Sequence, residues 1–176
     1  YEGERKTNLV AAFFLKRDLP NDHPDIVNNK RFRGANQWPE GLDGFRETTV
    51  AYMNAMEGLA KSMLPIYARA LDLADDFFAE GFEEPQYTLR LSHYPPAEAE
   101  DNQFGLAPHT DSSFLTLLAQ NKVEGLQVRR TDGTWIDAPA LPGTFLVNSG
   151  DMLRRWSNHR FLSTPLRAVA SIAGRD

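Results

Sequence analysis

Apolar residues recur along this chain at two different periods, and the change from one to the other divides it. From Phe45 onward Tyr52, Met53, Met56, Leu59, Ala60, Met63, Tyr67 and Leu71 return at three- and four-residue steps, the spacing of one helix with an apolar stripe. The helix is expected to begin near Asp43, to run for about seven turns of 3.6 residues and to kink at Pro65. A shorter helix is expected over "LADDFFAEGF", and Pro85 closes the helical region. The period then falls to two. "QYTLRLSHYP", "SFLTLLAQ", "GLQVRR", "TWIDAP", "TFLVNSGDML" and "FLSTPLRAVAS" are short β-prone runs separated by Gly, Pro and Asp, and no helical crossover separates them, which predicts an antiparallel sandwich or jelly roll. "RRTDGTW" carries Asp-Gly between two such runs, a hairpin signal. Residues 1–42 have turn-forming residues at high density and no sustained period. The expected organisation is an irregular arm over 1–42, a helical region over 43–84 and a β core over 85–176.

Composition narrows the function classes. At 176 residues, 41% apolar and 11% aromatic, the chain can bury one sizeable core. Its net charge is −5, and its densest basic patches, Arg129-Arg130 and Arg154-Arg155, are only pairs, which argues against nucleic acid as a partner. No apolar run approaches the ~18 residues of a membrane span, and no basic-then-apolar leader opens the chain; a cytoplasmic protein without membrane contact is expected. There is no cysteine, so disulfides, thiolate metal sites and cysteine nucleophiles are excluded together. Any metal must use nitrogen and oxygen donors, and the histidines are His23, His93, His109 and His159.

His109 and Asp111 in "APHTDSS" stand two apart. On an extended segment such side chains point to one face, so both can converge on one atom from a single strand end. An imidazole nitrogen and a carboxylate oxygen are two of the three ligands of a facial triad for non-haem Fe(II), which leaves positions open for cosubstrate and O₂. The spacing alone also fits a surface histidine beside a turn with a capping aspartate.

The order of motifs around the pair goes further. "HYPP", "PHTDSSFLTLLAQ", "GLQV", "VNSGDMLRRWSN" and "RFLSTP" in sequence, together with "RDLPNDHPD", "NQWPEGLDGFRET" and the long helix, closely resemble the isopenicillin N synthase-like branch of the Fe(II)- and 2-oxoglutarate-dependent oxygenases. The resemblance implies a mainly β protein with a helical N-terminal part, a double-stranded β-helix (jelly roll) packed against the long α-helix. It places His109 and Asp111 at the first two iron-ligand positions and Tyr94, with its neighbour Ser92, at the 2-oxoglutarate carboxylate. Fe(II) and 2-oxoglutarate are the implied cofactors, and O₂ and a small molecule the implied substrates. Asn148, Gly150 and Asp151 match a turn before the final metal-bearing strand, with a structural role: Gly150 permitting a positive φ and Asp151 capping amides. Phe104, Phe114, Trp135 and Trp156 fit either a substrate pocket or plain core.

Two parts of the family's pattern are missing. The third ligand is a histidine in a run reading Ser-Thr-Pro-His-Arg, and here the run is "STPLRAV" with Leu166 in its place. The 2-oxoglutarate-binding Arg follows "GRD", where this chain stops at Asp176, so a chain truncated at the C-terminus is expected. The first residue is Tyr1, which suggests a processed chain or a piece of something longer. No other histidine replaces the missing ligand. His159 sits at an odd offset of seven from Leu166, His93 faces away from Tyr94, and His23 lies in the arm. Two functions follow: an oxygenase that hydroxylates, desaturates or cyclises a small molecule, its third ligand not visible here, or a catalytically inactive small-molecule or carboxylate-binding protein on the same scaffold. Arg167 is expected to make an ion pair or hydrogen bond.

Overall fold

A computed structural model describes residues 6–170. The chain forms two compact units, one of Ala12–Leu91 and one of the residues up to Ala11 together with those from Ser92 onward. Among the described residues no helix is long and apolar enough to cross a membrane.

The first unit is built on a helix, α2 (Phe45–Ala70), which follows a one-turn helix, α1 (Pro24–Val27), and is capped by Gly44. Its start falls two residues after the expected one. Pro65 lies inside it, in a helix long enough to survive the loss of one hydrogen bond. The buried side is Thr49, Met53, Leu64 and Ala68; Tyr52 and Leu59, counted into the apolar stripe by their spacing, are exposed. Residues 1–42, expected to be irregular, contain a strand, β1 (Ala11–Lys16), in a two-stranded sheet with β2 (Thr88–His93). The second helix expected over "LADDFFAEGF" does not form: Asp72 has φ 60, turns follow, and only a single 3₁₀ turn at Glu80–Phe82 is regular. The Asp residues there compete with helical hydrogen bonding and favour turns.

Asp18 organises the loops of this unit. Its carboxylate accepts from Asn36 Nδ2 (3.1 Å), Trp38 Nε1 (3.3 Å) and Arg46 Nη2 (2.9 Å), while the Asn36 side chain also pairs with the Lys16 backbone. A hydrogen bond typically contributes a net of about 1 kcal/mol, which the part-buried Asn36 and Trp38 supply, and the exposed Arg46 adds little. Asp18→Ala is therefore expected to destabilise the chain by about 2 kcal/mol, read as a lower urea midpoint; an unchanged midpoint would show that the hub is dispensable.

The second unit carries the β core. One sheet has the order β3 (Leu106–His109), β8 (Leu166–Ala168), β5 (Leu126–Arg129), β6 (Trp135–Asp137), and the other pairs β4 (Leu115–Leu118) with β7 (Leu146–Ser149). All the pairings are antiparallel, and except for the β5–β6 hairpin the paired strands are far apart in sequence, as in a jelly roll. The Asp-Gly hairpin forms between β5 and β6: Gly133 N–H donates to Arg130 O, Arg130 N–H to Thr134 O, and Gly133 takes φ 90, a value open to glycine at little cost. On β8, Arg167 lies between the rings of Trp135 (4.3 Å) and Phe104 (5.3 Å), and its Nε donates to Gln127 Oε1 at 2.8 Å across the β5–β8 pair. The expected hydrogen bond is present, and it ties β8 into its sheet.

Two elements of this unit escaped the period-two reading. Strand β3 contains Pro108, which donates nothing to a ladder, and the β3–β8 register is irregular between Leu106 and His109. The run "TFLVNSGDML", read as one strand, ends at Ser149; Asp151–Trp156 form a short helix, α3. Gly150 is extended (φ −94, ψ 178), so it serves by its lack of a side chain and not by the expected positive φ. Asp151 does not cap α3 through its side chain but accepts from Thr110 Oγ1 at 3.0 Å.

Candidate metal centre

Three strands and one helix N-terminus fix the site. His109 ends β3, and its Nδ1 lies 2.9 Å from Ala107 O. A carbonyl only accepts, so Nδ1 is the donor here, and in the neutral imidazole the lone pair is then on Nε2. That nitrogen faces Asp111 Oδ1 at 3.6 Å, too far for a hydrogen bond. Metal–nitrogen and metal–oxygen bonds are about 2.0–2.2 Å, so a single cation can span the gap. The two residues expected to converge do so, at the end of one strand.

The segment carrying Asp111 is held by the turn between β7 and α3. Asp151 N–H donates to Asp111 O at 2.7 Å, Gly150 N–H to Phe114 O at 3.0 Å and Met152 N–H to Ser113 O at 3.2 Å. These are backbone donors at the start of α3, which have no partner within the helix itself. Gly150 makes the approach possible: a Cβ there would overlap the Ser113 carbonyl oxygen and lie 2.9 Å from Asp111 O. From the other side Asn148 Nδ2 donates to Asp111 Oδ2 at 3.0 Å. Asn148 was expected to be only part of a turn; its contact with Asp111 spans 37 positions of sequence, and no local spacing announces it.

Leu166 stands beside this pair. It is the Cα partner of His109 across β3–β8, and directly opposite residues of an antiparallel pair project to the same face with Cβ atoms about 4.5–5.5 Å apart. It is also 5% exposed. A residue at 166 thus stands beside His109, and this one offers hydrocarbon. Among the described residues no group of three or more His, Asp or Glu side chains is gathered closely enough to hold a metal. The donors present fit two corners of a three-ligand site.

The remaining histidines sit elsewhere. His23 caps α1, its Nδ1 accepting from Asp25 N–H at 3.1 Å. His93 is exposed at the end of β2, and His159 is exposed in the turn after α3 with φ 66. Ser92 is exposed on β2, and the Tyr94 ring packs on Gly105, just before β3. Of the aromatic candidates, Phe114 is buried against Trp156 at 5.9 Å between ring centroids, while Phe104 and Trp135 flank Arg167.

A jelly roll that brings one histidine nitrogen and one carboxylate oxygen together at a strand end offers two of the three donors of a facial metal site. The chain belongs to the 2OG-Fe(II) oxygenase superfamily, whose sequence model matches residues 85–175. The 2-oxoglutarate-Fe(II) type oxidoreductase hxnY of Emericella nidulans is 34% identical over 175 residues, covering 96% of this chain and 50% of that protein. Among solved structures, full-length Neurospora crassa T7H in complex with alpha-KG and thymine superposes with a TM-score of 0.83 at 29% identity, over 97% of this chain and 50% of that one. A 2OG-Fe(II) oxygenase family protein from Caulobacter crescentus gives 0.82 at 30% identity, over 99% and 55%. The chain therefore spans about half the length of these relatives. The jelly roll expected from the strand pattern is the fold of this family, and its cofactors are Fe(II) and 2-oxoglutarate.

Proposed function

We propose that this chain carries the metal-binding part of an Fe(II)- and 2-oxoglutarate-dependent oxygenase that oxidises a small molecule with O₂ in the cytoplasm. The observation that carries the reading is the meeting of His109 Nε2 and Asp111 Oδ1 at 3.6 Å, with the imidazole tautomer set by Ala107. His109 and Asp111 would hold the iron, and Tyr94 and Ser92 would donate hydroxyl hydrogen bonds to a 2-oxoglutarate carboxylate. Bound iron with 2-oxoglutarate supplies the activation of O₂ that oxidation of a small molecule needs. The protein's own part is to hold an imidazole nitrogen and a carboxylate oxygen side by side.

Leu166 favours a second reading, a protein on the same scaffold that binds a small molecule or carboxylate without turnover. One experiment separates the two. The purified chain is titrated anaerobically with Fe(II), 2-oxoglutarate is added, and the weak visible charge-transfer absorption of the chelate is followed. The oxygenase reading expects the band in the wild type, its loss in His109→Ala and Asp111→Ala, and succinate on admitting O₂. No band and no succinate from a folded chain would leave the non-catalytic reading.

A further inference from the structure

We propose that Asn148 is the positioning residue of Asp111: its side-chain amide holds one carboxylate oxygen so that the other is presented beside His109. This rests on the reading of His109 and Asp111 as a metal-binding pair. The two oxygens of Asp111 are used differently. Oδ2 accepts from Asn148 Nδ2 at 3.0 Å, and Oδ1 faces His109 Nε2 at 3.6 Å. A free carboxylate rotates about χ2 with a broad, roughly two-fold preference, so without the amide the oxygens exchange places and the side chain swings. Asn148 itself is fixed. It is 9% exposed on β7, and β7 is in register with β4 through Thr116↔Asn148 and its neighbours. The same nitrogen also approaches Thr164 O at 3.5 Å, two residues before Leu166, so one amide reaches both the Asp111 segment and the entry to β8.

An amide suits the task better than its isosteres. It donates to a carboxylate without adding charge, so the negative charge of Asp111 stays available to a cation. An aspartate at 148 would set two carboxylates 3 Å apart and repel, and a leucine of the same shape would donate nothing. Partners of this kind that orient a metal ligand typically change metal affinity by about 10–100-fold when removed.

The test uses Asn148→Leu and Asn148→Asp in the full chain, with two readouts. The first is affinity for Mn(II), by electron paramagnetic resonance of the free ion. The second is the side-chain conformation of Asp111 in the metal-free protein, from three-bond NMR couplings. The expected result is a fall in Mn(II) affinity of about 10–100-fold together with conformational averaging of Asp111, at a temperature where both variants are folded. Asn148→Leu should have no further effect on affinity in an Asp111→Ala background. If neither variant folds, the wild type decides: the Asn148 side-chain amide protons should exchange slowly with water, and Asp111→Ala should release them. Unchanged Asp111 couplings, or rapid amide exchange in the wild type, overturn the proposal. A wild type that binds no Mn(II) while Asn148 still controls Asp111 would instead sink the metal reading and leave the positioning role standing.

Discussion

Leu166→His is expected to raise the affinity of the chain for Fe(II) and Mn(II) roughly 100-fold. Four-ligand protein sites bind zinc with about 10–16 kcal/mol, so one ligand is worth about 3 kcal/mol, and each 1.4 kcal/mol is tenfold. The register supplies the geometry: residue 166 is directly opposite His109, so an imidazole there projects to the same face as the pair. The substitution also carries an opposite signature. Leu166 is buried, and an imidazole without a partner in that place costs about 1–3 kcal/mol. The metal-free variant should therefore melt below the wild type, and saturating Mn(II) should raise its midpoint more than it raises that of the wild type. Isothermal titration and thermal melts with and without metal measure both effects. An affinity equal to that of the wild type would mean that position 166 does not face the pair.

How much of this could be read from the residues alone depends on how local the signal is. The β4, β5 and β6 strands lie inside short apolar runs bounded by Gly, Pro and Asp, and the β5–β6 hairpin is announced by Asp132-Gly133. His109 and Asp111 are two apart on one extended segment, a relation that period-two geometry makes visible. Strand β3 was hidden because Pro108 weakens the β signal of the very residues that deliver His109. Helix α3 was hidden because Met152 and Leu153 continue the apolar run of β7 past Gly150, and six residues are too few to show a helical period. The role of Asn148 was beyond sequence reading for a different reason. Its partner is fixed by the pairing of β7 with β4 and by the loop that α3 holds, and neither leaves a trace in spacing. Gly150 was expected to serve a turn through a positive φ, but the physics is different: its backbone is one that any residue adopts, and the constraint is contact.

That distinction makes Gly150→Ala a clean steric test with a large expected effect. Its φ and ψ are open to alanine, so no conformational penalty confuses the result. The added methyl would overlap the Ser113 carbonyl oxygen, lie 2.7 Å from the Ser113 carbonyl carbon and 2.9 Å from Asp111 O. All three are backbone atoms, which cannot rotate aside as a flexible side chain would. Overpacking typically costs about 1–3 kcal/mol and occasionally more, and this position belongs at the upper end because relief requires moving the 111–114 segment off the first turn of α3. The movement breaks the hydrogen bonds from Gly150, Asp151 and Met152 to Phe114, Asp111 and Ser113, and so displaces the carboxylate that faces His109. Loss of stability and loss of metal affinity should therefore appear together, the second persisting at temperatures where the variant is fully folded. Asp151→Ala, which keeps those backbone bonds and removes only the acceptor for Thr110, should cost about 1 kcal/mol and leave the site in place. Urea melts and Mn(II) titrations on the two variants distinguish these outcomes; a Gly150→Ala chain as stable as the wild type would show that the 111–114 segment is free to move away from α3.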